Sequence, residues 1–277
     1  CIKAFKISNP QEFPKPLLEL GKGLAEKQVE VVEISDAGSV QDLSVRNKSD
    51  KFLLIYEGSL LEGEKQNRVV NATLLLEPNT ETIIPVSCVE RGRWNRSAQG
   101  FSKPSYDSSS KIRRNFKKNI LFQKAGFKGM QSEVWEEVDK FAASEAMHNA
   151  TGDYASYYQN SKKDHFVFKE GLKLPAKGIF VKAYEEDYLD YVNNEEVFTE
   201  ILERITKGYE MEPKEGLAEE TILPKDYFIS ILSSKHQDIF VQDSVGLGKD
   251  IRLETDRHYI SALQVEDVFL ALSIFKK

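Results

Sequence analysis

At 277 residues the chain is long enough for one large domain or two small ones, and 40% hydrophobic against 30% charged content lets it build a core. The net charge of -6 and a pI near 5.5 weigh against a molecule that coats nucleic acid as a whole, but leave room for a local basic site. No apolar run reaches the ~18 residues a membrane-spanning helix needs, and two cysteines, Cys1 and Cys88, are too few for a disulfide framework.

The default location is cytoplasmic. A processed lipoprotein also begins with cysteine, although the cut edge of a longer chain explains Cys1 more simply. Pro10, Pro14 and Pro16 interrupt the start, and residues 17–27 read as a short helix weakened by Gly21 and Gly23. Short β-branched and aromatic runs follow at 29–34, 40–45 and 52–56, separated by turn formers, which predicts antiparallel strands. A loop is expected from Glu57 to Lys65. Residues 69–76 and 82–89 then read as a hairpin about the turn Glu77-Pro78-Asn79-Thr80. Pro85 cannot donate to a ladder, so the second strand is expected at an edge or with a bulge. Alternation places Ile84, Val86, Cys88 and Glu90 on one face, with Ile83, Pro85, Ser87 and Val89 on the other.

Beyond Trp94 the composition changes. Residues 91–128 hold eleven Lys or Arg and one acid, Asp107, a local charge of +10 that leaves -16 on the rest of the chain. Residues 97–110 form a polar, Ser-rich loop. Residues 111–124 have helical spacing at Ile112, Phe116 and Ile120 with basic residues between. Residues 131–148 predict a helix faced by Val134, Trp135, Val138, Phe141 and Ala142, with Ser132 as its cap. Residues 151–161 read as a further helix or ordered loop that groups Tyr154, Tyr157 and Tyr158. A strand at 178–184 precedes a helix at 194–209, with Val197, Phe198, Ile201, Leu202, Ile205 and Tyr209 in phase behind an Asn cap. Strands are expected at 227–232, 238–242, 251–254, 259–265 and 268–275. The order of strands, helices, strands predicts an α+β fold. Its antiparallel, β-rich N- and C-terminal parts are expected to close into one domain over 1–277, with a helical subdomain at about 105–161.

Familiar site patterns are missing: no Gly-rich phosphate loop, nucleophile elbow, HExxH or CxxC pair. His148, His165, His236 and His258 are scattered without ligand spacing, so no histidine-held metal is expected, and a carboxylate-held Mg²⁺ stays open. The stretch 66–94 (QNRVVNATLLLEPNTETIIPVSCVERGRW) is richest in chemistry. Arg68, Arg91 and Arg93 offer planar forks to phosphate or carboxylate. Gln66, Asn67 and Asn71 offer paired amide donors and acceptors for a base or ribose edge. Trp94 can stack on a base, and Glu90 is the candidate general base or acid. The plain structural alternative pairs Arg68 with Glu90 across neighbouring strands, uses Asn67 and Asn71 to satisfy loops, and buries Trp94. Cys88 reads first as a small buried hydrophobe, because a nucleophile needs a base and a lowered pKa. The basic stretch reads either as a solvated helix or as a funnel for a polyanion. Nucleic acid is the less favoured polyanion, because Phe101, Tyr106, Phe116 and Phe122 are too irregular for a stacking platform.

The same stretch carries a resemblance. QNR, Asn71 and IPVSCVERGRW look like the motif of the ARG-and-rhodanese-phosphatase-superfamily-associated domain family, in which ARG denotes ADP-ribosylglycohydrolase. The lead-in from Ser39 resembles the family's, Gln131 and Trp135 look like its helical Gln and Trp, and residues 177–212 are similar to its later strand–helix unit. About two-thirds of the chain is covered. The resemblance implies a domain without a settled activity, associated with enzymes that handle ADP-ribose and phosphate esters. Three functions are therefore expected in turn. The first is a module binding a small anionic, nucleotide-like ligand (NAD- or ADP-ribose-derived) through Gln66, Asn67, Arg68, Asn71, Cys88, Glu90, Arg91, Arg93, Trp94, Gln131 and Trp135. The second is an enzyme on such a ligand using Glu90, and the third is a structural or protein-interaction domain. No cofactor follows from the residues.

Overall fold

The computed structural model describes residues 2–7, 13–95, 100–103, 106–124, 126–128, 130–144, 146–160, 177–182, 187–207, 221–223 and 236–277. The first part runs β1 (Ile2–Ile7), β2 (Leu17–Glu19), α1 (Leu20–Ala25), β3 (Val29–Glu33), β4 (Asp42–Asn47), β5 (Phe52–Ile55), β6 (Leu60–Gly63), β7 (Arg68–Val70), β8 (Leu74–Leu76), β9 (Thr80–Cys88) and β10 (Phe101–Ser102). The middle holds α2 (Ser110–Gln123), α3 (Gln131–Ser144) and α4 (Tyr154–Gln159). The last part runs β11 (Gly178–Lys182), β12 (Asp187–Val192), α5 (Glu195–Lys207), β13 (Thr221–Leu223), β14 (Asp238–Asp243), β15 (Lys249–Glu254), β16 (His258–Val265) and β17 (Val268–Lys276). The fold is α+β, with a helical middle between strand-rich ends.

Three sheets organise these strands. One has the order β10-β6-β7-β9-β4-β3, a small one β2-β5-β8, and the largest β13-β1-β11-β12-β17-β16-β15-β14. The first strand, β1, lies inside the largest sheet between β13 and β11, so the two ends of the chain meet there. One core fills the space between the six-stranded sheet and α2, α3 and α4, through Val45, Val69, Val86, Phe116 and Val138 among others. A second joins α5 to the small and large sheets through Phe198, Ile201, Leu54 and Phe275. Each such side chain taken fully out of water contributes about 1.5–3 kcal/mol. Among the described residues no helix is long and apolar enough to cross a membrane.

Local chemistry explains where the structure departs from the sequence reading. The expected helix at 17–27 begins as β2, because Leu17–Glu19 pairs in parallel with Phe52–Leu54. The helix then starts at Leu20, with the Glu19 carboxylate capping the amides of Gly21 and Lys22. The expected loop 57–65 contains β6. The single strand expected at 69–76 is two: β7 pairs with β9, whereas β8 crosses over to pair with β5. Pro85 is not at an edge. It sits in β9 between β7 and β4, at the step where β7 has ended at Val70 and the chain leaves for the other sheet. A missing N–H costs no ladder bond there, and the Pro85 carbonyl still accepts from Asn71 N at 3.3 Å. Ser132 lies inside α3 and bonds Glu133 rather than capping, whereas Asn194 caps α5 as expected, accepting from Val197 N at 2.9 Å. Strands β1, β10, β12 and β13 had not been expected. The strand expected at 227–232 falls outside the described residues.

A buried charge network ties the three parts together. The Glu57 carboxylate follows β5. It takes the Lys117 ammonium of α2 on one oxygen and Arg252 Nη1 of β15 on the other at 2.7 Å. Arg252 also meets Asp250, and Arg113 of α2 holds Asp190 of β12 with both Nη atoms, at 2.5 and 3.0 Å. The Tyr56 hydroxyl donates to the same Asp190 at 2.7 Å. All six ionised side chains are buried, three of each sign. Burial alone would push the Glu57 carboxyl up, but Lys117, Arg252 and Arg113 outweigh it and hold it below the ordinary value. For Lys117 burial outweighs Glu57 and brings the ammonium down to about 8.

That depression fixes a pH dependence. Native Lys117 loses its proton near pH 8, while in the unfolded chain it keeps it to about 10.5, so between these values the unfolded state binds more protons and stability rises with pH. Urea unfolding at pH 7.5, 8.5 and 9.5 should show the wild type gaining stability relative to Lys117→Met as the pH rises. A difference that stays flat would show that this ammonium titrates normally.

Candidate functional site

The polar motif gathers where β7 meets β9, with Arg68 opposite Cys88 in the ladder. Its side chains mostly satisfy one another. Arg68 is fully buried. Its Nη2 lies 3.4 Å from Glu33 Oε1 and 3.3 Å from the Ser39 carbonyl, and its Nη1 reaches Gln66 Oε1 at 3.4 Å. Burial lowers its guanidinium below the ordinary value. Glu90, 4% exposed, is held two-pronged by Arg93, with Nε to Oε1 at 2.8 Å and Nη2 to Oε2 at 2.7 Å. The Asn67 amide N–H donates to Oε2 at 3.1 Å. The relay continues, as Asn67 Nδ2 donates to Asp153 at 3.0 Å and Asp153 caps α4 through Ala155 N and Ser156 N. Burial raises the Asp153 carboxyl. The pairing of Arg68 with Glu90 expected across the strands is replaced by Arg68–Glu33 and Arg93–Glu90.

Gln131 clamps the edge of β9. Its Nε2 donates to the Cys88 carbonyl and its Oε1 accepts the Cys88 N–H, both at 2.7 Å. One side-chain amide thus imitates a neighbouring strand and pins α3 to the sheet. Asn71 donates to the Phe127 carbonyl at 2.8 Å across the step between sheets. The Cys88 thiol is 1% exposed and lies 3.6 Å from the Val40 carbonyl; burial pushes it up to about 11, against the pull of Arg68. Such a thiol holds its proton at neutral pH and is a poor nucleophile.

The solvent-facing members are fewer. Trp94 is 41% exposed, with Lys65 Nζ 5.5 Å and Arg68 Cζ 5.7 Å from its ring. The ring packs on Gly38, where a Cβ would sit 3.2 Å away and where φ is +78°. Lys65 donates to the Asp36 and Ala37 carbonyls, which fixes its stem beside the indole. Arg91 is exposed. Its guanidinium lies 4.9 Å over Trp135 and 2.9 Å from Asp139. Two cation–indole pairs therefore flank the turn 91–94, which the Gln66 amide also touches through the Arg91 carbonyl at 3.3 Å.

The basic segment is largely neutralised within the molecule. Lys103 meets Asp107, Arg113 meets Asp190, Lys124 meets Asp238 and Lys128 meets Asp42. Sequence reading missed Glu33, Lys65 and Asp153. Glu33 was visible as an acid in phase with Val29 and Val31 on an apolar strand face. Asp153 was visible as an Asx residue just ahead of the Tyr-rich helix. Among the described residues no group of three His, Cys, Asp or Glu is placed to hold a metal ion.

Fold and site together define an α+β protein with an internally paired arginine–glutamate motif that displays two cation–indole pairs. The chain belongs to the ARPP-1 family, the ARG and Rhodanese-Phosphatase-superfamily-associated Protein domain, whose model matches residues 2–275. No curated protein and no solved structure matches it.

Because Arg93 grips the buried Glu90 carboxylate on both oxygens, its removal leaves that charge poorly compensated. Arg93→Ala should lower the unfolding free energy in urea by roughly 2–3 kcal/mol, whereas Arg91→Ala, exposed, should change it by less than about 0.5 kcal/mol. Equal small effects would mean that Glu90 is not held by Arg93 in solution.

Proposed function

We propose that this protein is a binding module for a small phosphorylated, nucleotide-like ligand of the NAD or ADP-ribose kind, docked on the solvent-facing end of the motif. Trp94 stacks on the base, and Lys65 and Arg91 meet the phosphates. The observation that carries the reading is the half-exposed indole of Trp94, seated on Gly38 beside Lys65. Aromatic faces stack on bases at about 1–3 kcal/mol per base, and an ammonium has three donors, of which two carbonyls take two here. The buried relay from Arg93 to Asp153 serves as the rigid mount. The family's association with ADP-ribosylglycohydrolases points to the same ligand class.

Binding is favoured over catalysis. Both Glu90 oxygens are committed to Arg93 and the Asn67 amide, so an acid–base role requires breaking that pair. A protein-interaction role has one observation in its favour: Ile34 and Val40, 42% and 41% exposed, border the β3–β4 turn on which Trp94 rests.

A thermal-shift panel of ADP-ribose, NAD, AMP and inorganic phosphate separates these readings. At a hundredfold excess over Kd a ligand stabilises by about 2.7 kcal/mol, a rise of roughly 5 °C or more. The expected outcome is a shift with at least one nucleotide, lost in Trp94→Ala while the unliganded Tm is kept, and no product by chromatography. Product formation would make the protein an enzyme, and no shift with any of the four would leave the interaction role.

A further inference from the structure

The eight-stranded sheet ends at β14, and this edge lacks the usual guards. Native edge strands are blunted by lysine, proline, a bulge or a covering loop. Residues Asp238–Asp243 include no lysine, proline or glycine, and they pair with β15 without a shift of register. Ile239 and Val241 share one face of the strand and are 50% and 52% exposed. Ile239 stands beside Leu253 and Val241 beside Ile251. The two therefore carry the apolar face formed by Leu253, Ile260 and Ala262 out to the rim of the sheet. Phe240 turns the other way and packs against the core that holds α2.

The backbone of this edge is open. The Ser244 N–H bonds the Gly248 carbonyl at 3.0 Å, one step beyond the Asp243–Lys249 pair. Even-numbered residues of β14 therefore turn N–H and C=O towards β15, and Ile239, Val241 and Asp243 turn theirs outward. Among the described residues no backbone group pairs with them on that side. The Asp238 carboxylate accepts the Ile239 N–H at 2.9 Å. Lys124 holds the same carboxylate at 3.0 Å, so the amide can pass to a new acceptor without stranding it.

The residues along the edge match a second copy of themselves. Two β14 strands related by a two-fold axis pair antiparallel through outward-turned residues, so the allowed registers differ by steps of two residues. With the axis between the two copies of Phe240, Ile239 faces Val241 of the partner subunit, and the reverse, through four main-chain hydrogen bonds. Asp243 then faces Gln237 of the partner subunit. In each chain Gln237 Oε1 accepts from Lys277 Nζ at 2.9 Å, so the exposed acid meets a cationic neighbourhood. A slip one way sets Ile239 against Asp243 of the partner subunit, and a slip the other way sets Val241 against Gln237 of the partner subunit. Apolar matching and charge agree on one register.

We propose that the protein forms a two-fold homodimer through β14, joining the two eight-stranded sheets into one continuous sheet. A single strand pair is a small interface, so the dimer is reversible. Sedimentation equilibrium between about 1 and about 200 μM should show the mean mass rising from monomer towards dimer, from 31.6 kDa towards twice that. Val241→Pro removes an outward N–H and no bond to β15, and Val241→Lys sets a charge in the apolar pair. Each should weaken dimerisation by roughly tenfold or more, while the Tm of the dilute monomer is kept. Ile239→Cys and Val241→Cys, both in a Cys1→Ser background, test the register. Oxidising the two together should give at least about five times the disulfide-linked dimer that either gives alone, since a disulfide needs Cα atoms within about 7 Å. A monomer throughout the range overturns the proposal, even if β14 then captures a strand of another protein. A dimer that both Val241 substitutions leave intact, or cross-linking no greater in the mixture than in either variant alone, overturns it as well.

Discussion

The carboxylate of Glu57 is the point on which the architecture depends. It lies just past β5, and the two cations that grip it come from the middle helix α2 and the C-terminal strand β15. Residues some 60 and 195 positions away thereby share one buried charge. The cost of taking those ions out of water is met only when every partner is present, so the network rewards one arrangement of the three parts and penalises others. Arg113 and Asp190 extend the same logic one layer further, and Phe275 supplies a ring face 4.2 Å from Lys117 Nζ and 4.9 Å from Arg113 Cζ.

The motif at β7 and β9 obeys the same constraint on a smaller scale. Its arginines and glutamates sit where the backbone leaves one sheet for another and where three loops must be held. Arg93 alone reaches Glu90 and the carbonyls of Glu64 and Asn95. Residue types that suit anion recognition also suit this work, because a planar fork of five donors satisfies several carbonyls and a carboxylate at once. What the arrangement offers to solvent is the remainder, chiefly Trp94 and Arg91 with the Lys65 stem.

Much of the fold was legible from periodicity. Residues of α5 and α2, the late strands β14 to β17 and the central strand β5 are strongly patterned and came out in place. Short elements were not: β10 has two residues and β2, β7, β8 and β13 three each, too few to show a period. They exist because of pairing with distant strands, which no local window contains. The break at Asn71–Thr73 hid inside a continuous apolar run, because Val70 and Leu74 are both buried whichever sheet they join.

The motif's location was readable, and its inward orientation was not. Alternation assigned Ile84, Val86, Cys88 and Glu90 to one face, and all four are buried, although β9 ends at Cys88, ahead of Glu90. It could not show that the opposite face is buried too at Ser87 and Val89, nor that Glu33 from another strand would take Arg68. Arg113 and Lys117 carried a clue: four residues apart, they share the helix with Ile112, Phe116 and Ile120, and charges bordering an apolar stripe need buried partners.

The claim at the centre is that the buried charges of the motif, Glu90 and Arg93, hold each other. A double-mutant cycle on Glu90→Gln and Arg93→Gln, read by urea unfolding, tests it most directly. The account predicts a coupling of at least about 1.5 kcal/mol, with the double variant more stable than the sum of the single losses implies. Losses that add within about 0.5 kcal/mol would contradict it and return both side chains to the pool available for a ligand.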